Sequence, residues 1–304
     1  MYITQGFRSG NIFWKYIQGS VLLILASVVG QLFFAAAVFI NAMMSGKQFQ
    51  LKGLNIMTYF ESNITLFFLL LPFVFVVITL FFVVKLLHHQ TILSVTTSRK
   101  KVDWNRVLTA FGICSLFIIG STLIMYFVNP SSFEINFKPI SFLILVLIGI
   151  LMIPIQTSAE EYIFRGYLMQ GFAVLARNKW FPLLMTSLIF GGLHFFNPEV
   201  EKMGPIIMIY YIGTGFFLGI VTLMDEGMEL ALGFHAANNT IGALLITSDW
   251  TAFQTHSILK DISNPSAGID VILPVFLIYP ILLFIFSKKY QWTNWKEKLT
   301  GRIS

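Results

Sequence analysis

The sequence predicts an all-α fold: a polytopic membrane helix bundle with about eight transmembrane helices. Three observations carry that expectation. The 304 residues are 56% hydrophobic and only 11% charged, with 32 Phe, whereas an average soluble domain carries about 25% charged residues. Apolar runs recur at lengths near the about 20 residues that a helix needs to cross a bilayer core. The net charge of +6 comes mostly from loops and ends, which reads as membrane topology or attraction to anionic headgroups. The length alone would allow two soluble domains, but these runs argue one membrane domain. No basic and aromatic surface patch is visible, so nucleic acid is set aside as a partner.

The apolar runs fall at Trp14 to Ile40, Ile64 to Leu87, Val107 to Val128, Ile140 to Ala176, Phe181 to Phe196, Ile206 to Met224, Leu230 to Thr247 and Ile269 to Phe286. The first is too long for a signal-peptide core and lacks a small-x-small cleavage site, so it reads as a retained span. The fourth exceeds one perpendicular crossing; a kink at Pro154 or emergence of its C-terminal half accounts for the excess. The fifth is short enough to be tilted, broken or partly re-entrant. We divide the chain into N-terminal spans (1–135), a segment holding the polar motifs (136–250), and a last span with a basic tail (251–304), all one membrane domain.

Basic residues set the orientation. Lys85, Arg99, Lys100, Lys101 and Arg106 follow the second span, Arg177 and Lys179 the fourth, and Lys288, Lys289, Lys296, Lys298 and Arg302 the last. With eight spans these share one side, which makes both termini cytoplasmic and the protein a multi-pass component of the plasma membrane. The opposite loops, Met44 to Glu61, Asn129 to Pro139, Asn197 to Gly204 and Ser248 to Asp270, are poorer in Lys and Arg. Ser187-x-x-x-Gly191 and Gly215-x-x-x-Gly219 place small residues one turn apart, a pattern for close helix packing. Trp104, Trp180, Trp292 and Trp295 suit interfacial belts. The single cysteine, Cys114, excludes an intramolecular disulfide and a cysteine metal cluster, and reads as a buried, inert thiol.

Polar residues inside apolar runs are the anomaly. Ala159-Glu160-Glu161-Tyr162-Ile163-Phe164-Arg165-Gly166 sets two carboxylates and an arginine within the fourth run. Ionised groups at membrane depth cost from about 2.5 to over 10 kcal/mol each and persist mainly when paired or used. Glu161 and Arg165 are i,i+4 neighbours in the favourable order. Glu160 points about 100° away, so it lacks that partner and is free for chemistry. Phe190 and His194 share a face of the fifth run, and His235 and Asn239 a face of the seventh.

Together these make the parts of an amide hydrolase that uses an activated water. Glu160 serves as general base, a neutral His194 holds or co-activates the water, and His235 and Asn239 donate to an oxyanion. No Ser or Cys nucleophile paired with a base emerges, and no helix carries H-E-x-x-H. A cofactor is not required by this scheme. A divalent metal such as zinc remains an alternative activator, with Glu160, His194 and His235 as three ligands.

The three motifs, Glu160-Glu161-x-x-x-Arg165, Phe190-x-x-x-His194 and His235-x-x-x-Asn239, resemble the CPBP intramembrane proteases in order and spacing. That family includes CAAX prenyl endopeptidases and Abi bacteriocin-processing or immunity proteins. The resemblance covers about residues 145 to 245, making 136–250 the expected catalytic core. It implies that Glu160 and His194 activate water, that His235 and Asn239 form the oxyanion hole, and that Glu161 and Arg165 support the site. It also implies an eight-helix bundle with a cavity opening to the cytosol, and a membrane-associated peptide or protein as substrate. The alternative is a non-catalytic scaffold or bacteriocin-immunity protein of the same fold. A proton-coupled transporter fits less well, because no internal repeat is seen.

One expectation conflicts with the topology. His194 falls near the far end of the fifth run's crossing and His235 near the near end of the seventh's. A shared site requires the fifth span to continue past Phe196, or Asn197-Pro198 to break within the membrane. The remaining polar features read as bland: His88 and His89 solvated at a helix end, His256 without nearby ligands, and Asp225, Glu226 and Glu229 in a solvated turn.

Overall fold

The computed structural model describes residues 1–45, 56–265 and 268–303. Most of the expected outer loop Met44 to Glu61 therefore lies outside the described residues, as do residues 266–267 of the loop Ser248 to Asp270. The architecture is all-α with a small sheet at one end. Helix α1 is Phe13–Met44 and α2 is Ser62–Phe82, prolonged by a π-helical turn at Val83–Leu87; short α3 (Ile92–Thr96) leads to α4 (Trp104–Val128). Helix α5 (Pro139–Glu161), a π-helical segment (Tyr162–Leu168) and α6 (Met169–Ala176) form one continuous rod. Then come α7 (Trp180–Leu193), α8 (Pro198–Met203), α9 (Met208–Asp225), α10 (Glu229–Leu245), α11 (Ile269–Leu273), α12 (Tyr279–Tyr290) and α13 (Trp295–Thr300).

Local chemistry explains the helix starts. The carboxylates of Glu61 and Asp103 and the Thr91 hydroxyl accept from backbone N–H groups in the first turns of α2, α4 and α3, groups that have no partner inside the helix. Pro139 and Pro198 open α5 and α8, where a missing N–H costs nothing. Among the described residues six helices are long and apolar enough to cross a membrane: Phe13–Met44, Ser62–Leu87, Trp104–Val128, Pro139–Ala176, Pro205–Asp225 and Val271–Tyr290. The other two expected spans are shorter helices, Trp180–Phe196 and Glu229–Leu245. These two carry the histidine motifs.

The helices join two ends alternately. At the basic end, Thr97 bridges Gly227, Asn178 bridges Arg302, and Lys298 donates to Met224 O. At the opposite end lies a sheet of order β1-β3-β2: β1 (Phe133–Ile135) pairs antiparallel with β3 (Leu259–Asp261), Phe133 against Asp261, and β2 (Ile246–Thr247) pairs parallel, Ile246 against Leu259. The expected stripes of small residues do pack. A Cβ on Gly215 would lie 2.8 Å from the Ser187 carbonyl oxygen, and one on Gly191 would lie 2.9 Å from Ile212 Cα. Thus α7 and α9 touch backbone to backbone. Cys114 is a buried free thiol, inside an apolar cluster with Phe217, Leu218, Phe234 and Phe286.

Several polar residues read as solvated are instead buried. Asp225 and Glu229 lie inside the basic end, bound to Arg99 at 2.9 and 3.0 Å, with Arg106 on Asp225 at 2.6 Å. Trp292 leaves the expected interfacial belt to donate to Asp225 Oδ1 at 3.0 Å, and is buried. His88 is buried between Asn11 Oδ1 (2.6 Å) and the Tyr167 hydroxyl (2.9 Å). Burial, with Lys15 and His89 adding to it, pushes its pKa down to about 4. His256 is partnered as well, by Glu61. Each of these partners is distant in sequence, so local polarity gave no sign of it.

Candidate active site

Two helices supply the charged centre. Glu160 and Glu161 end α5, and the π-helical segment that follows carries Arg165. Such π-bulges occur often at functional sites. Arg165 Nη1 donates to Glu161 Oε1 at 2.8 Å, with both side chains fully buried. Its guanidinium also lies 4.4 Å from the Phe190 ring centroid and donates to Gly215 O at 3.3 Å. The i,i+4 pair expected from spacing is thus in place, and two more helices hold it.

His235, buried on α10, joins the pair. Its Nδ1 lies 2.7 Å from Glu161 Oε1, and its Nε2 faces Glu160 Oε2 at 3.6 Å. A carboxylate only accepts hydrogen bonds, so the 2.7 Å contact fixes Nδ1 as the protonated nitrogen. Nε2 then carries a lone pair in the neutral ring and donates only when the ring is an imidazolium.

Glu160 is the less buried carboxylate, 15% exposed against 0% for Glu161. Oε1 accepts from Gln156 Nε2 at 2.6 Å, while Oε2 has no hydrogen-bond partner among the described residues. Asn239, one turn beyond His235 on α10, donates to Gln156 Oε1 at 3.1 Å. Glu160, Glu161, Arg165, His235 and Asn239 are therefore brought into one network. Gln156 was not foreseen. The signal was available, because it precedes Glu160 by four residues and so shares its helix face.

His194 stands apart from that network. It sits at the end of α7, and its Nδ1 lies 2.8 Å from the carbonyl oxygen of Phe190. A carbonyl only accepts, so Nδ1 carries the proton and Nε2 is a free acceptor. The ring stacks on Tyr211 of α9, centroids 4.5 Å apart at 24°. Phe190 is the bridge: its ring is 4.9 Å from that of His194 and 6.0 Å from that of His235. Tyr211 is the second unforeseen neighbour, and its place depends on the α7–α9 packing, which spacing alone does not reveal. Among the described residues no three His, Cys, Asp or Glu side chains form a group that could hold a metal ion. Glu160, His194 and His235 are not such a group as they stand; the Phe190 ring neighbours both histidines.

This geometry lies inside a segment with known relatives. Residues 139–241, about a third of the chain, match the family described as type II CAAX prenyl endopeptidase Rce1-like. This segment is similar to that family. It contains every residue of the three motifs, and the match supports a CAAX-type membrane hydrolase. The whole chain is also similar to an uncharacterized protein, YyaK, of Bacillus subtilis (strain 168), at 28% identity over 286 residues, 93% of this chain and 95% of that protein. No solved structure matches.

Proposed function

We propose that the chain is an intramembrane endopeptidase that hydrolyses a peptide bond in a membrane-associated peptide or protein, using a water activated by Glu160 and His194. The single observation that carries the reading is the joining of Glu160, Glu161, Arg165, His235, Gln156 and Asn239 into one buried network inside the Rce1-like segment. Such a network costs insertion energy and links residues from helices far apart in the chain. Glu160 Oε2 takes the proton from the water as its oxygen attacks the scissile carbonyl, and His194 Nε2 accepts the water's second hydrogen bond. The Asn239 amide and His235, held by the Glu161 carboxylate on Nδ1, stabilise the oxyanion. Collapse of the tetrahedral species breaks the C–N bond, and Glu160 returns the proton to the leaving amine.

The bilayer setting follows from the six long apolar helices. Placing the basic end in the cytoplasm satisfies the positive-inside rule and puts both described termini there, in a plasma-membrane protein. The family description makes a prenylated CAAX peptide the first substrate to try; pheromone or bacteriocin precursors are the next.

The test uses the whole protein in liposomes with a quenched, farnesylated CAAX reporter peptide. It is paired with intact-mass comparison of membrane-associated peptides from cells with and without the protein. Glu160→Gln should lower hydrolysis by about 10²–10⁴, and Asn239→Leu by about 10²–10³, with normal membrane accumulation. Full cellular output from a normally accumulating Glu160→Gln would replace this reading with the scaffold one.

A further inference from the structure

Gln156 lies on α5 one turn before Glu160, 4% exposed, and its amide touches both halves of the candidate site. The Nε2 atom, 2.6 Å from Glu160 Oε1, must be the donor, since a carboxylate has no proton to give there. That choice fixes the amide's orientation. Oε1 must then accept, so Asn239 presents its NH2 group at 3.1 Å. Asn239 Oδ1 is left to accept from Asn238 Nδ2 at 3.0 Å. Three amides thus stand in series, each with its donor turned toward the Glu160 carboxylate.

We propose that Gln156 is a positioning residue for the hydrolysis described above. It holds Glu160 with Oε1 engaged and Oε2 left toward His235, and it fixes the Asn239 amide so that its second N–H remains for the oxyanion. This role rests on the endopeptidase reading. Three substitutions show why glutamine suits the place. An apolar side chain leaves Glu160 without its donor. It also frees the Asn239 amide to turn, and a carbonyl oxygen in place of the N–H repels an oxyanion. A glutamate keeps an acceptor for Asn239 but sets a second carboxylate against the base. An asparagine is one methylene too short to span both partners.

The first readout needs no substrate. Protein in nanodiscs, with glutamate side chains carrying ¹³C at the carboxyl, is compared by infrared difference spectroscopy; the Glu160 carboxylate band is the one lost in Glu160→Gln. The band should move in both Gln156→Met and Gln156→Glu. Asn239→Leu should move it when Gln156 is present and have no further effect in Gln156→Met. An unmoved band in either variant, with normal melting, overturns the proposal; two variants of different chemistry guard against one that fails to fold. With the farnesylated reporter, Gln156→Met should lower kcat by about ten- to a hundredfold, as loss of a supporting hydrogen bond often does, with KM within about threefold. Absence of reporter hydrolysis by the unsubstituted protein, together with no difference in the intact-mass comparison, sinks the endopeptidase reading, while the band still decides the role of Gln156.

Discussion

Arg165→Met is the sharpest perturbation of the buried charge network. Arg165 and Glu161 are both fully buried and 2.8 Å apart, so solvent offers neither a substitute partner. Removing one member of such a pair costs about 3–5 kcal/mol, because the other charge stays buried and uncompensated. Here Glu161 would keep only the His235 Nδ1–H bond. For a chain of this size about 2–3 °C is lost per kcal/mol, which sets a fall in Tm of roughly 6–15 °C. The assay is heat challenge in one detergent followed by fluorescence-detected size-exclusion chromatography. Glu161→Gln combined with Arg165→Met removes both charges and should recover about half or more of the loss, because coupled neighbours are not additive. A double variant no more stable than Arg165→Met would refute the electrostatic account. The loss would then belong to the guanidinium's packing on Phe190 and its bond to Gly215 O.

Two further predictions concern His88 and the packing of α7 on α9. His88 is buried neutral with its pKa pushed down to about 4, against about 6.5 in an unfolded chain. Its contribution is therefore complete above pH 6.5 and declines as pH falls toward 4, by at most about 3 kcal/mol; melting curves from pH 7.5 to 4 should show that decline, and His88→Gln should flatten it. Gly215→Ala should lower Tm, because the new Cβ lies 2.8–2.9 Å from the Ser187 backbone and such overpacking costs about 1–3 kcal/mol. Gly192→Ala, whose Cβ meets nothing within 4 Å, should leave Tm unchanged or slightly raised. Equal effects of the two would undo the packing account of α7 and α9.

What the sequence made legible is whatever a single helix encodes. The Glu161–Arg165 pair, the turning of Glu160 away from it, and the shared faces of Phe190 with His194 and His235 with Asn239 all follow from helical spacing, and all appear in the structure. Apolar run length likewise located the spans. What stayed hidden depends on partners far along the chain. Asp225 and Glu229 look like a solvated turn because Arg99, Arg106 and Trp292, which neutralise or bind them, lie at least 67 residues away or more. His88 looks exposed because Asn11 and Tyr167 are 77 and 79 residues distant. Gln156 was legible in principle, since it obeys the same i,i+4 rule as Arg165.

The conflict over depth has a related origin. The expected topology set the 225–229 turn at the membrane surface, so α10 had to carry His235 close to one face. That turn is instead roofed by distant segments: Tyr2 N donates to Glu226, Arg99 clasps Asp225 and Glu229, and Trp292 covers Asp225. Helix α10 therefore begins beneath a cap of segments distant in the chain. Helix α7 ends with a 3-10 turn at His194–Phe196, and the backbone breaks at Asn197-Pro198 before α8, while the Phe190 ring, one turn earlier, lies 6.0 Å from that of His235. The polar groups form two tiers one helical turn apart, about 5.4 Å along the helices. His235, Glu160, Glu161 and Arg165 make the tier nearer the basic end; Gln156 and Asn239, each one turn farther from it, make the other. Exposure does not follow the tiers: Gln156, in the farther one, is 4% exposed, against 15% for Glu160 in the nearer. What separates Glu160 from its sealed neighbours Glu161 and Arg165 is therefore the face of the helix on which each side chain lies.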